Sequence, residues 1–519
     1  MADTDVPGVA AREDSVRTTA PWSPPAGPVG RSPSVGRATM TSTGDSASAE
    51  SFDVIVVGGG PAGSSAATFV ALQGHRVLLL EKESFPRHQI GESLLPSTVH
   101  GICALLGVSE ELHSAGFVKK HGGTFRWGSN TEPWTFDFAL SEKFAGPTSY
   151  AYQVERMKFD QLLLDNARRK GVVVRERCAV RDVLEDGGRV NGVRYTDEDG
   201  TERETRARFV VDASGNQSRL QGRVGGERRY SEFFQNIALY GYFEGGKRPP
   251  APNSGNITCV AFDSGWFWYI PLSDTLTSVG AVVRKECADR IRGDRGEALA
   301  EMIADCPLVS DYLSEAERVN SGPYGEVRVR KDYSYLHDGF WRPGLTLVGD
   351  AVGFIDPLFS SGVHMATFSA LLAARSINSV LRGDLEEEEC FAEYEARYRK
   401  EYQTFHDFLV SFYDVTRDEQ QYFDDARRVT RDSAPGAGAF VGLVGGGASD
   451  DTALTSDDYR DQRKKDLRQQ SRDVHWEGHR IQMQAAFGEA DDDVPAVKDG
   501  LVVAQDGMHW TKSADSAAV

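Results

Sequence analysis

The sequence predicts an α/β fold: a doubly wound sheet, interleaved with antiparallel β-structure and followed by a helical carboxyl-terminal region. Three observations predict it. A run of branched apolar residues, Phe52-Asp53-Val54-Ile55-Val56-Val57, passes directly into a glycine loop and an apolar helix, with a second strand behind it. Two later segments, Arg208–Gly215 and Thr346–Asp350, repeat the pattern of a buried strand ending on an acid near a glycine. The stretches around 120–200 and 225–335 alternate apolar and polar residues between Gly/Asp turns, the period of antiparallel sheet.

In chain order, residues 1–50 are rich in Ala, Ser, Thr, Pro and Gly, with almost no large apolar side chains, and are expected to be disordered. Met40, just ahead of the first strand, is an alternative start to Met1. Residues 51–120 hold the first βαβ unit: the strand, Gly58-Gly59-Gly60-Pro61-Ala62-Gly63, a helix through Ala66, Phe69 and Val70, and the strand Arg76–Leu80 ending at Glu81. Residues 121–205 read as a sheet insertion carrying one helix, 206–225 as a return to the first sheet, 226–340 as a larger β-sheet unit, and 341–385 as a second return. From 362 to 430 the pattern is helical, with Met365, Phe368 and Leu372 on one face. Gly436–Ser449 reads as a Gly/Ala-rich break. The tail beyond it, sparse in apolar residues except Trp476, Phe487 and Trp510, is expected to be a small, partly mobile helical piece within the unit 386–519.

The chain has 519 residues, 77 acids against 58 bases and a net charge of −19, which argues against nucleic acid or an anionic membrane as partner. No apolar run approaches the roughly 20 residues of a bilayer span, and the amino terminus lacks the apolar core of a secretory signal. Six scattered cysteines form no C-x-x-C pair and no zinc spacing, so no metal is expected, and free thiols point to the cytoplasm.

Gly58, Gly60 and Gly63 allow a tight turn and close approach of backbone to a pyrophosphate, whose charge the helix amino terminus favours. Glu81 is placed to accept from ribose hydroxyls. Asp212, in Asp212-Ala213-Ser214-Gly215, and Asp350, after Gly349, supply second and third loops that an extended cofactor such as FAD needs. Ser360-Ser361-Gly362 precedes a helix whose free N–H groups suit the flavin or a small anion; equally, the serines only cap the helix.

Together these loops resemble the hydroxybenzoate-hydroxylase class of FAD enzymes. Within it, Trp266-x-Trp268-x-Ile270-Pro271 resembles the W-x-W-x-I-P signature of flavin-dependent halogenases, and Phe85–Pro96 and Gly116–Gly128 resemble the same family in its phenol-directed form. The resemblance implies reaction of FADH2 with O2 to a C4a-hydroperoxide, attack by chloride, release of hypochlorous acid, and electrophilic chlorination beside a lysine. Lys120 is the implied lysine, with Lys119 as the decoy pointing to the opposite face of a strand. Trp266 and Trp268 would form a wall between flavin and substrate; without the other motifs they read as core. Ser361 and Gly362 would hold chloride, Arg156 would contact FAD, and Ser93 would lie near it. Tryptophan halogenases carry a glutamate where this chain has Phe359, a departure that disfavours free tryptophan.

The implied substrate is a tyrosyl or β-tyrosyl group on a peptidyl carrier protein in natural-product (antibiotic) biosynthesis, with a free phenol and a carrier-bound pyrrole as alternatives. An acidic carrier would need a local basic patch such as Arg228-Arg229 or Lys247-Arg248. With no second nucleotide fingerprint in view, a separate flavin reductase would supply FADH2. An aromatic hydroxylase on the same fold and a non-catalytic flavin-binding module remain as other classes.

Overall fold

A computed structural model describes residues 51–512, except 131, 432–433, 450, 456–495 and 498–499. The expectations for residues 1–50 and for Trp476 and Phe487 lie outside the described residues.

The first sheet is assembled from distant pieces of chain. Its order is Trp341–Arg342, Leu345–Leu347, Phe209–Asp212, Val54–Val57, Val77–Leu80, Val173–Arg175. The last five strands are mutually parallel, and Trp341–Arg342 adds an antiparallel edge. Val54–Val57 is buried along its whole length, as a central strand covered on both faces must be. The helices Pro61–Ala71 and Gly362–Arg382 pack against one another, and Ala66, Phe69, Leu371 and Leu372 belong to one apolar core.

A nine-stranded sheet forms the second layer. Its central strands are Arg228–Glu244, Leu276–Val283, Gly265–Pro271 and Ile257–Phe262, all antiparallel neighbours. Ile257–Phe262 then pairs in parallel with Gly122–Arg126, which joins the earlier insertion to the later one. Alternation along Gly265–Pro271 is complete. Trp266, Trp268 and Ile270 enter the core shared with the first sheet, whereas Phe267 and Tyr269 enter a separate core on the opposite face.

That second core adds two helices to the sheet expected over 226–340. The helices Arg295–Ala304 and Pro307–Tyr312 cover the outer face, with Leu299, Met302 and Val309 packed among Tyr269, Val279 and Ala281. Asp294 caps the longer helix by accepting from the Glu297 N–H.

The carboxyl-terminal region is helical as expected, with Glu387–Phe412 and Glu419–Thr430, but it departs at one point. The supposed break at 436–449 contains a buried helix, Gly436–Val444, whose Phe440 meets Phe136, Phe359, Phe412 and Phe423. Glycine content suggested a loop, but burial of Phe440, Val441, Leu443 and Val444 outweighs the helix propensity lost at glycine. The last described residues form a hairpin of Leu501–Val503 with Trp510–Lys512. It is docked: the Trp510 indole N–H donates to Ser376 Oγ at 3.0 Å, and Arg375 Nε donates to the Gly507 carbonyl at 2.8 Å while its guanidinium also forms a buried ion pair with Asp451.

Candidate functional site

One cavity of roughly 650 Å³ runs from the glycine loop to the tryptophan strand. At one end Gly58, Gly60 and Glu81 line it; at the other stand Trp266, Trp268, Ser360 and Gly362. The glycine loop is tight. Gly58 has φ +103°, and a Cβ on Gly63 would overlap the Gly58 carbonyl oxygen. Gly63 therefore sets the approach of helix to strand and does not face the cavity. The Glu81 carboxylate accepts the Gly59 N–H at 2.6 Å and the Glu83 N–H at 2.8 Å, which fixes it at the strand end with lone pairs to spare.

Arg156 begins the helix Arg156–Arg169, as its sequence context suggests, but it is 6% exposed and no surface residue. It forms a two-point ion pair with Asp160 at 2.7 and 3.0 Å and donates to the Ile90 and Gly91 carbonyls. It thereby clamps the loop that forms one wall. Asp350 lines the cavity, and burial raises its carboxyl pKa against the pull of Arg330, Arg156 and Arg228. Asp212 sits behind the wall. It accepts from the Ser214 N–H and hydroxyl and from Ser218, so it shapes the loop Ala213–Gln217 that does line the cavity.

Lys119 and Lys120 lie on Val118–Lys120, paired with Ala151–Gln153, and face opposite ways. Lys119 is exposed, with its ammonium 4.4 Å from the Tyr150 ring centre. Lys120 is 2% exposed and donates to Ser93 Oγ at 2.9 Å and the Leu94 carbonyl at 3.2 Å, with Phe138 alongside. Burial pulls its pKa down to about 7, and only Cys259 opposes the shift. Among the described residues no carboxylate lies within ion-pair distance of it. Lys120 does not line the cavity; Ser93 does.

The tryptophan rings stand 6.3 Å apart. The Trp268 indole donates to Ser278 at 3.1 Å, and its ring lies across Gly280 on the neighbouring strand, where any Cβ would collide with it. The Trp266 indole donates to Tyr413 at 2.7 Å, and Tyr413 donates to the buried Asp356 at 2.7 Å. Burial lifts the Asp356 carboxyl to about 6. The sequence reading missed Tyr413, Asp356 and Gly280. Only Gly280 left a sequence signal, a glycine inside an apolar strand.

Ser360 adopts φ +61°, and Ser361 precedes the helix Gly362–Arg382 without a side-chain capping bond. Its buried hydroxyl has no hydrogen-bond partner, which removes the capping explanation. Phe359 stacks on Phe408 at 5.3 Å, within a cluster of phenylalanines. The proposed basic patches are engaged elsewhere: Arg229 pairs with Asp338, Lys247 with Asp311, Arg228 covers Tyr335, and Arg248 donates to backbone carbonyls.

The cavity fits a flavin dinucleotide. The glycine turn and Glu81 line one end with exposed backbone and a carboxylate, and at the other end a Cβ on Gly362 would meet nothing within 4 Å. No helix among the described residues is long and apolar enough to cross a membrane.

The tryptophan halogenase family model matches residues 53–146 and 140–452. A tryptophan 2-halogenase of Chondromyces crocatus is 36% identical over 385 residues, covering 73% of this chain and 71% of the relative. The crystallised myxobacterial chondrochloren halogenase, described as a variant of FAD-dependent halogenases, superposes with a TM-score of 0.71 at 50% identity, covering 89% of this chain and 100% of that one. A flavin-dependent brominase superposes at 0.68 with 28% identity, covering 81% and 100%. These likenesses settle the family: the chain belongs to the tryptophan halogenase family as a flavin-dependent halogenase, an oxidoreductase with FAD as its cofactor.

Proposed function

We propose that the protein chlorinates a phenolic ring, a tyrosyl or β-tyrosyl group carried on a peptidyl carrier protein, with FADH2 supplied by a separate reductase. The observation that carries the reading is Lys120: a buried amine with a pKa lowered to about 7 and no carboxylate partner among the described residues. Such a group is partly neutral near neutral pH and can hydrogen-bond to hypochlorous acid or exchange an N–H for an N–Cl bond with release of water.

Bound reduced FAD supplies, with O2, the oxidising equivalents that turn chloride into hypochlorous acid. The chain's own residues do the rest. The backbone N–H groups of Ser361 and Gly362, at the start of a 21-residue helix, hold chloride. Trp266 and Trp268 keep the phenol from the flavin and so prevent direct oxygen transfer. Ser93 lines the cavity and accepts the Lys120 hydrogen bond, so it marks the route from cavity to amine. Phe359, set among other aromatics, supplies no carboxylate to the amine, which favours an already electron-rich phenol over free tryptophan.

The test supplies the enzyme with FAD, a flavin reductase, NADH, O2, chloride and a tyrosyl-loaded carrier protein. A product mass in which chlorine replaces hydrogen is expected. A product that has gained oxygen instead identifies a hydroxylase and overturns the proposal.

A further inference from the structure

Resting on that reading, we propose that Glu92, Tyr242 and His88 form a proton wire that delivers to the cavity the proton consumed when halide is oxidised. The balance requires one: FADH2 + O2 + Cl⁻ + H⁺ gives FAD + HOCl + H2O. Halide and the two-electron reductant reduce O2 to hypochlorous acid and water, so an anion enters and only neutral products form. Trp266 and Trp268, which wall the cavity, carry no titratable proton.

Glu92 lines the cavity and is 2% exposed. Its Oε1 accepts from the Tyr242 hydroxyl at 2.8 Å, and its Oε2 is buried with no partner. A carboxyl oxygen left unpaired at a buried site costs stability and calls for a role. Tyr242 has a single hydroxyl proton and gives it to Glu92. Its oxygen must therefore accept at the other contact, from His88 Nε2 at 2.9 Å, which fixes the Nε2–H form of the ring. Every donor along the chain points toward Glu92. His88 is half-buried and lines the same cavity, so the wire takes its proton from water at the His88 face and delivers it at Glu92.

The charges around it suit proton transfer. Burial lifts the Glu92 carboxyl to about 7, against the nearby Ser278 hydroxyl, the Tyr242 hydrogen bond and the charge of Arg156, with Glu155 reinforcing the rise. Tyr240 and Tyr324 face the same group. Burial, Arg328, Arg156 and Arg87 hold His88 down to about 4, so the ring is neutral and can give one proton while taking another. Tyr240, Tyr242 and Tyr324 surround it at 6.4, 5.8 and 6.2 Å.

In the step, the acid proton on Glu92 Oε2 passes into the cavity. Tyr242 gives its hydroxyl proton to Oε1 and takes the Nε2 proton of His88. His88 Nδ1 binds a proton from solvent. One proton enters, one leaves, and Glu92 ends neutral.

The test uses the full-length holoprotein and its Glu92→Gln and Tyr242→Phe forms. Glu92→Gln should bind oxidised FAD with unchanged Kd yet form hypochlorous acid, trapped by a free primary amine as its chloramine, on the order of 10²-fold more slowly. Formate should restore part of the rate. Tyr242→Phe should slow the step less and abolish its inverse dependence on solvent deuterium content. Infrared titration of the oxidised, halide-free wild type should show a protonated carboxyl band that fades as pH passes about 7 and is missing in Glu92→Gln. A Glu92→Gln enzyme with wild-type rate, or one that loses FAD affinity in step with rate and ignores formate, overturns the wire. Absence of the infrared band overturns it as well. Wild type that reoxidises flavin without any chlorinated trap product sinks the halogenase reading instead, a result distinct from the infrared one.

Discussion

Lys120 is where single-residue physics is most exposed to test. Lys120→Ala should abolish chlorination, by about 10²-fold or more, while FAD affinity and peroxide release persist; loss in Lys119→Ala with survival of Lys120→Ala would refute the assignment. The depressed pKa has a thermodynamic sign. Unfolded, the amine titrates near 10.5; folded, near 7. Between those values the unfolded chain binds more protons, so folding stability should rise with pH across the window. Below about 7 the full cost of a buried ammonium remains. Urea denaturation should show Lys120→Met more stable than wild type near pH 7, with the gap closing toward pH 10. Gly280 gives a second test. Gly280→Val forces the Trp268 ring off its strand, which overpacking values place at about 1–3 kcal/mol, visible as altered tryptophan fluorescence and loss of stability.

At the level of elements, the carboxyl-terminal pieces are structural members. Helix Gly436–Val444 seats Phe440 against Phe359, Phe412 and Phe423. Phe440→Ala should cost about 3–5 kcal/mol, measured by denaturant unfolding. The hairpin Leu501–Val503/Trp510–Lys512 and Asp451 are tied to helix Gly362–Arg382 through Arg375. Burial opposes ionisation of Asp451, but the Arg375 guanidinium outweighs it and holds the carboxyl below its usual range. Its contribution is thus present above the ordinary Asp pKa and lost as pH falls through the folded value. Asp451→Asn should cost about 3–5 kcal/mol at neutral pH by leaving a buried guanidinium unpaired, and proteolysis should then release the hairpin.

Across the whole molecule, the sequence made the cofactor sheet, the tryptophan strand and the helices up to about 430 legible and the packing beyond them opaque, for physical reasons. The glycine loop, the buried strands and the tryptophan alternation are local patterns, and Val54–Val57, Phe209–Asp212 and Gly265–Pro271 appear in the structure where those patterns place them. The partition of Lys119 from Lys120 follows from strand geometry alone. Helix Gly436–Val444 was illegible because it is stabilised by distant aromatics and contradicts its own propensity. Tyr413, Asp356 and the partners of Glu92 come together only through tertiary packing. Charge is global in the same sense. With Arg229 and Lys247 already paired and the chain at −19, an acidic carrier protein gains little from long-range attraction. Its KM should change less than about threefold between low and physiological salt; a steep salt dependence would reveal a basic docking face.

The first sheet also sets a schedule for the chain during synthesis. Phe209–Asp212 pairs with Leu345–Leu347 on one side and Val54–Val57 on the other. The nucleotide cradle is therefore bounded by strands almost 300 residues apart in sequence, and long-range parallel pairing is slow to form. A nascent chain released from the ribosome before Leu347 leaves the strand beside the cradle with an open, apolar edge. FAD capture is in this sense a late event of biogenesis, and chaperone demand should be greatest just before that strand emerges.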